Sequence, residues 1–176
     1  AGASLAADMC VGAVGSDTGG SVRTPAAING VTGLRPTMGS IPMTGSFTRI
    51  CPAIDTVGPL GKSVDIVARM FAVMAGYDDD DPYSVRHSWG DAFRQMPDGM
   101  TGLRIGIPRR FFFEDLEPGI GEAVEEAGIQ MCQLGAVITE IELEGADSAQ
   151  QDVMPMVWAD AYEYHRERAE GAPELF

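Results

Sequence analysis

Lysine is nearly absent: Lys62 is the single lysine among 12 basic residues in a chain of 176. Against them stand 26 acidic residues, for a net charge of −14 at neutral pH. A field of that sign repels phosphate backbones and anionic lipid, which argues against a nucleic-acid or membrane-surface partner. No apolar run approaches the roughly 20 residues that cross a bilayer. The first residues show neither the basic start nor the long apolar core of a signal peptide. Cysteine is scarce and odd in number: Cys10, Cys51 and Cys132 are widely spaced and contain no CxxC pair. That pattern reads as reduced buried thiols in a cytosolic protein, not as a disulfide framework or a zinc site. What is present is globular in kind, with 45% hydrophobic and 22% charged residues. The length suits one ordinary domain or part of a larger one.

Charge and glycine are unevenly shared. Residues 1–76 contain four acids and five bases, whereas residues 77–176 contain 22 acids and seven bases. Twelve of the 22 glycines fall in the first 76 positions. The front is thus near-neutral and able to bring backbone close to something, and the back reads as solvated helices and strands.

The pattern of elements points to the α/β class. Residues 3–14 read as the end of a helix running into Gly12, with a short strand at Ala13–Val14. Residues 21–28 suit a helical turn, and GLRPT at 33–37 a strand stopped by Pro36. From 38 to 61 the glycines and prolines read as loop. Ser63 is placed to cap a helix carrying Val67, Met70, Phe71 and Met74 on one face, with Gly76 as its stop. Asp65 and Arg69 lie four apart on its wet face. Residues 77–100 read as a surface connection. Their DDDDP run lacks the alternate spacing and closing Glu of a calcium loop, so a solvated turn is the reading. A βαβ unit follows, with strands at 103–107 and 136–143 around a helix at 118–134 opened by Pro118, which implies parallel strands. Residues 147–170 form a long acidic helix bent near Pro155, with Glu163–Glu167 and Arg166–Glu170 spacings on its wet face.

The chemistry-bearing segment is GSDTGGSVR at 15–23. It is no P-loop, because the lysine position holds Ser21, and neither GxGxxG nor GxSxG occurs. Gly19 and Gly20 can turn consecutive N–H groups toward one point as an anion-binding nest, with Ser21 beside it to attack a carbonyl. Asp17 and Arg23 flank the turn and can pair across it. On physics alone the plainer reading is a strand-to-helix turn with an N-capping serine.

GSDTGGSVRTPAAINGVTGLRPT at 15–37 resembles the signature segment of the amidase signature family, with its G-[ST]-D-T-G-G-S-[IV]-R run, P-A-A step and G-[LV]-[KR]-P-T strand. AIDTVGPL at 53–60 resembles that family's S-L-D-T-V-G-P-L stretch, and the likeness continues through residues 62–76 into LRIGIPRRFFF at 103–113. The resemblance implies an α/β/α sandwich with a mixed central sheet. It also implies carboxamide hydrolysis by a Ser–Ser–Lys triad, one serine being held in a cis peptide, without metal or cofactor. Ser21 matches the nucleophile, the backbone amides of Thr18, Gly19 and Gly20 match the oxyanion hole, and Asp17 and Arg23 match supporting positions.

The family's bridging serine and triad lysine lie well upstream of the nucleophile. Ser4 sits too close to Ser21 in sequence to be the former, and Lys62 matches an ordinary basic position. The expectation is therefore a single incomplete amidase domain over residues 1–176. It would comprise a signature core at 1–76, a connecting loop at 77–100, and a βαβ unit with an acidic helix at 101–176. Such an internal fragment would be inactive alone. The implied partner is a small-molecule amide, with assembly either as a homo-oligomer or with a partner subunit. One family branch is the A-type amidotransferase chain, which acts on glutaminyl groups of mischarged tRNA. That branch tends to carry D-Q where this chain has Asp55-Thr56, which favours a stand-alone amidase.

Met38, Met43, Thr44 and the phenylalanines at 111–113 read as core ahead of pocket lining. His87 and His165 have no partner at metal-ligand spacing, and Trp89 and Trp158 read as core or interface residues. Three functions compete: an amidohydrolase, a non-catalytic or amidotransferase-type subunit, and an anion-binding module built on the glycine nest.

Overall fold

The computed structural model describes residues 1–45, 49–89 and 99–175. Its elements are α1 (Gly2–Ala6), β1 (Gly12–Asp17), α2 (Arg23–Ile28), β2 (Thr32–Gly33), β3 (Thr56–Gly61) and α3 (Val64–Met74). They continue with β4 (Arg104–Pro108), α4 (Ile120–Gln133), β5 (Val137–Ile141) and α5 (Ala149–Gly171). The class is α/β, with one antiparallel and one parallel sheet. The chain forms two compact units, Ala1–Gln95 together with Met156–Phe176, and Met96–Pro155. Their boundary within α5 falls at Pro155, which lies inside the helix.

In the first unit the strand order is β1-β3-β2, all antiparallel. Every residue of β3 is buried, so it is a central strand covered on both faces. Glycine and proline punctuation hides it, and the sequence reads as loop there. Proline is normally confined to strand edges because it cannot donate to the ladder. Here the Pro59 carbonyl accepts from the Leu34 N–H at 3.0 Å and no bond can return, so β2 ends at Gly33. The strand expected at 33–37 is thereby confined to Thr32–Gly33 and shares only Gly33 with it. Gly58 answers the displaced Leu34 carbonyl, since a Cβ there would stand 2.0 Å from that oxygen.

β1 is longer than the expected two residues, running from Gly12 to Asp17, while α1 stops at Ala6. Leu5, Val22, Ala26 and Leu60 form one buried cluster, and Ile41, Met43, Val57 and Phe71 another. Ser63 caps α3 by accepting from the Ile66 N–H at 3.3 Å, and Arg69 pairs with Asp65 at 2.8 Å. The helix ends at Met74 with Ala75 extended, so Gly76 is not its stop; the Gly76 N–H instead donates to the Ser40 carbonyl. In the 77–100 stretch residues 90–98 lie outside the described residues, and the acid run is not wholly solvated, because Asp81 is buried.

In the second unit β4 and β5 pair in parallel around α4, as the βαβ pattern requires. Gly119, at φ 89°, rather than Pro118, marks the helix start. Phe111 and Phe112 stand exposed, edge to face with each other, so the core reading fails for them. It holds for Met43. Among the described residues no helix is long and apolar enough to cross a membrane.

Candidate active site

β1 delivers the chain into the turn Thr18–Val22 and α2 carries it away. What shapes the turn is the Asp17 carboxylate, which is fully buried. Its Oδ1 accepts from the Gly20 N–H at 2.9 Å and from Arg23 Nη2 at 2.9 Å. Its Oδ2 accepts from the N–H groups of Val22 (3.2 Å) and Arg23 (3.3 Å) and from Arg23 Nε at 3.0 Å. Arg35 Nε adds an ion pair at 3.6 Å. Burial by itself pushes the Asp17 pKa up, but the bidentate Arg23 and the two backbone donors outweigh it, and the carboxyl lies below its ordinary value. Gly20, at φ 129°, has the backbone only glycine takes easily, and a Cβ there would also meet Thr24 Oγ1 at 2.8 Å.

Ser21 sits exposed between buried Gly20 and buried Val22, so the anchored neighbours present its side chain outward. It is not a helix cap: Val22 is the N-cap of α2, and no side chain bonds the helix end. The amide trio expected from sequence is narrowed, because the Gly20 N–H already donates to Asp17. Among the described residues the N–H groups of Gly19 and Ser21 have no acceptor.

A second buried carboxylate meets the turn from the residue ahead of β3. The Thr18 hydroxyl donates to Asp55 Oδ1, while Asp55 Oδ2 accepts from the N–H groups of Ile50 (2.7 Å) and Cys51 (2.8 Å). Arg49 donates to the Asp55 carbonyl at 2.9 Å and to Asp81 Oδ2 at 2.8 Å. Asp81 also accepts from the N–H groups of Met43 and Tyr83, each at 2.9 Å. These bonds and Arg49 hold its carboxyl below the ordinary value although burial works the other way. Sequence reasoning passed over Asp55 and Asp81. The signal available for Asp55 was its place just ahead of a strand that pairs with the motif strand.

Of the remaining candidates, Lys62 and Ser4 lie away from the turn. Lys62 pairs with Asp8, next to Gly61, which faces Gly12 at the far end of the ladder from Asp17. Five residue steps of strand separate the two ends, about 17 Å. The Ser4 hydroxyl donates to the Ala1 carbonyl at 2.8 Å on α1, whose Gly2 packs against Pro25 and Asn29 at the far end of α2. His87 is exposed, its ring 4.4 Å from that of Trp89, which packs on the second buried cluster. His165 lies against Tyr164, and Trp158 is exposed on α5 rather than buried in core. Among the described residues no group of three His, Cys, Asp or Glu is placed to hold a metal.

The site is thus that of an α/β protein presenting one serine on a carboxylate-anchored glycine turn. The Amidase family model matches residues 1–174, and the chain belongs to that family. It is 39% identical over 142 residues to the A-type chain of the glutamyl-tRNA(Gln) amidotransferase from Syntrophobacter fumaroxidans, covering 80% of this chain and 29% of that protein. The chain therefore spans about three tenths of the length of such curated relatives. Among solved structures it is similar to the corresponding amidotransferase chain from Thermotoga maritima, with TM-score 0.79, 27% identity, and coverage of 99% of this chain and 40% of that one. It is similar also to the peptide amidase of Stenotrophomonas maltophilia, with TM-score 0.76, 29% identity, and coverage of 94% and 35%.

Proposed function

We propose that this chain carries the nucleophile turn of a cytoplasmic amidase that hydrolyses a carboxamide to a carboxylic acid and ammonia or an amine. The observation that carries the reading is the grip of buried Asp17 on Gly20, Val22 and Arg23, which leaves Ser21 exposed at the apex. Ser21 Oγ attacks the amide carbon and gives up its proton to a base. The oxygen of the tetrahedral intermediate is held by amides of the 18–21 turn, with Gly19 and Ser21 as the uncommitted donors and Thr18 beside them. The amine leaves with a proton, and water then releases the acid from the acyl-enzyme. Arg23 supports the turn through Asp17. Lys62 is engaged with Asp8 at the other end of the ladder, which argues against it as the base, and the resemblance assigns both the base and the relay serine to residues outside these 176. The segment is accordingly inactive alone.

A second reading is favoured by the names of the curated relatives: an A-type amidotransferase chain, releasing ammonia from an amide donor for transfer to a glutamyl group and working with partner subunits. Asp55-Thr56 in place of D-Q favours the stand-alone amidase. The complete polypeptide that bears this segment should be labelled once by a fluorophosphonate, at Ser21, and should release ammonia from simple carboxamides. Ser21→Ala should lose both activities by at least about a thousandfold while keeping its fold. Labelling elsewhere, or undiminished turnover in that variant, would sink the assignment. Ammonia release that needs a co-purified partner would favour the amidotransferase reading.

A further inference from the structure

Asp55 is a buried carboxylate that the proposed reaction does not use. Its place follows from register. The β1–β3 ladder ends with Asp17 opposite Thr56, so one step further brings Thr18 and Asp55 together. One Asp55 oxygen takes the Thr18 hydroxyl, and the other takes the N–H groups of Ile50 and Cys51. The two carboxylates thus divide the turn. Asp17 engages the N–H groups of residues 20, 22 and 23, and Asp55 engages the Thr18 hydroxyl, which leaves the N–H groups of 18, 19 and 21 without an acceptor among the described residues.

We infer that Asp55 is a positioning residue for the nucleophile turn, setting through the Thr18 hydroxyl the plane of the Thr18–Gly19 peptide and hence the aim of the Gly19 N–H. The inference rests on the reading of Ser21 as nucleophile. Asp55 is itself held firmly. Arg49 bonds its carbonyl and reaches Asp81, whose carboxylate gathers Met43 and Tyr83, and the guanidinium lies 4.8 Å from the centre of the Tyr83 ring. The turn at 81–83, the segment 49–55 and the Thr18 hydroxyl are therefore joined by one run of charge-assisted bonds, the strong kind, which stops one residue short of the Gly19 amide.

The discriminating change is Thr18→Val in the complete polypeptide, which removes the hydroxyl at nearly constant shape. Asp55 keeps the two backbone donors on its other oxygen, so the fold should survive at a modest cost for the oxygen left without the hydroxyl. The readout is the second-order rate at which a fluorophosphonate phosphonylates Ser21 with loss of fluoride, a reaction that needs the developing P–O⁻ to be held by the same amides. Thr18→Val should slow labelling on the order of 10- to 100-fold, less than outright removal of an oxyanion donor, measured without urea where the variant is fully folded, with only a modest drop in the urea midpoint. Thr18→Ser, which restores the donor, should label within about threefold of the parent. Asp55→Asn should add little to Thr18→Val, because the two act through one bond. Parent-like labelling of Thr18→Val would overturn the inference and leave Ser21 as nucleophile. A lowered urea midpoint in both Thr18 variants, with labelling lost in step, would also overturn it, as a structural effect. A parent protein that is not labelled at Ser21 would remove the functional reading and this inference together.

Discussion

Three aspartates in this chain do structural work that their ordinary surface role would not suggest. Asp17, Asp55 and Asp81 are each at most 5% exposed, and each spends its lone pairs on backbone N–H groups of a neighbouring turn. A buried carboxylate survives only when so paired. Asp17 was legible because it sits inside a recognisable motif beside Arg23. Asp81 was hidden in an acid run, where nothing local separates the one buried carboxyl from its three neighbours. Cys51 is a further case: it is buried, its thiol 3.1 Å from Asp160 Oδ2, and burial first, then that carboxylate, push its pKa up to about 11. In a thiol titration of the 176-residue chain with an aromatic disulfide at about pH 8, exposed Cys132 should react at once, whereas Cys51 should wait for denaturant. Immediate reaction of all three thiols would contradict the burial of Cys51.

At the scale of elements, local pattern succeeded where one face is wet and failed where both are covered. The amphipathic α3 and the βαβ unit follow from periodicity and capping. β3 does not, because its TVGPLG sequence alternates nothing and contains the two residues least expected in a central strand. The structure tolerates them by ending β2 at Pro59 and by seating the Leu34 carbonyl over Gly58. Gly58→Ala should therefore cost about 3 kcal/mol in urea unfolding of the chain, since the clash is with backbone and not with a side chain that can move aside. A cost no larger than that of an ordinary surface substitution would show that this part of the sheet can give way.

For the whole molecule the governing quantity is its acidity, and two effects oppose each other as pH falls. Titration toward the isoelectric point near 4.3 relieves repulsion among the excess acids. Asp17 and Asp81, in contrast, have folded pKa values below their unfolded ones. Their contribution is complete above about pH 4, the unfolded value, and is lost as pH falls through the folded values, because the unfolded chain then binds more protons. At about 0.5 M salt the diffuse repulsion is screened and the buried pairs much less so. Under that condition the urea midpoint, followed by tryptophan fluorescence of the first unit, should fall below about pH 4, and Asp81→Asn should make the fall shallower. A midpoint that holds steady down to about pH 2.5 would mean these carboxylates are not stabilised as described.

The chain order of residues alone carried the α/β class, the glycine turn braced by Asp17 and Arg23, the capped α3 and the parallel βαβ unit. The turn and α3 depend on spacings within some 20 residues, where periodicity, capping and turn chemistry act, and the βαβ unit, whose strands pair 33 positions apart, follows from three such local elements in succession and the crossover rule. The central strand β3, the bond from Thr18 to Asp55, the burial of Asp81 and the pairing of Lys62 with Asp8 came only with the fold. They join residues 32 to 54 positions apart. At that separation no local rule applies, and burial and strand register choose the partners.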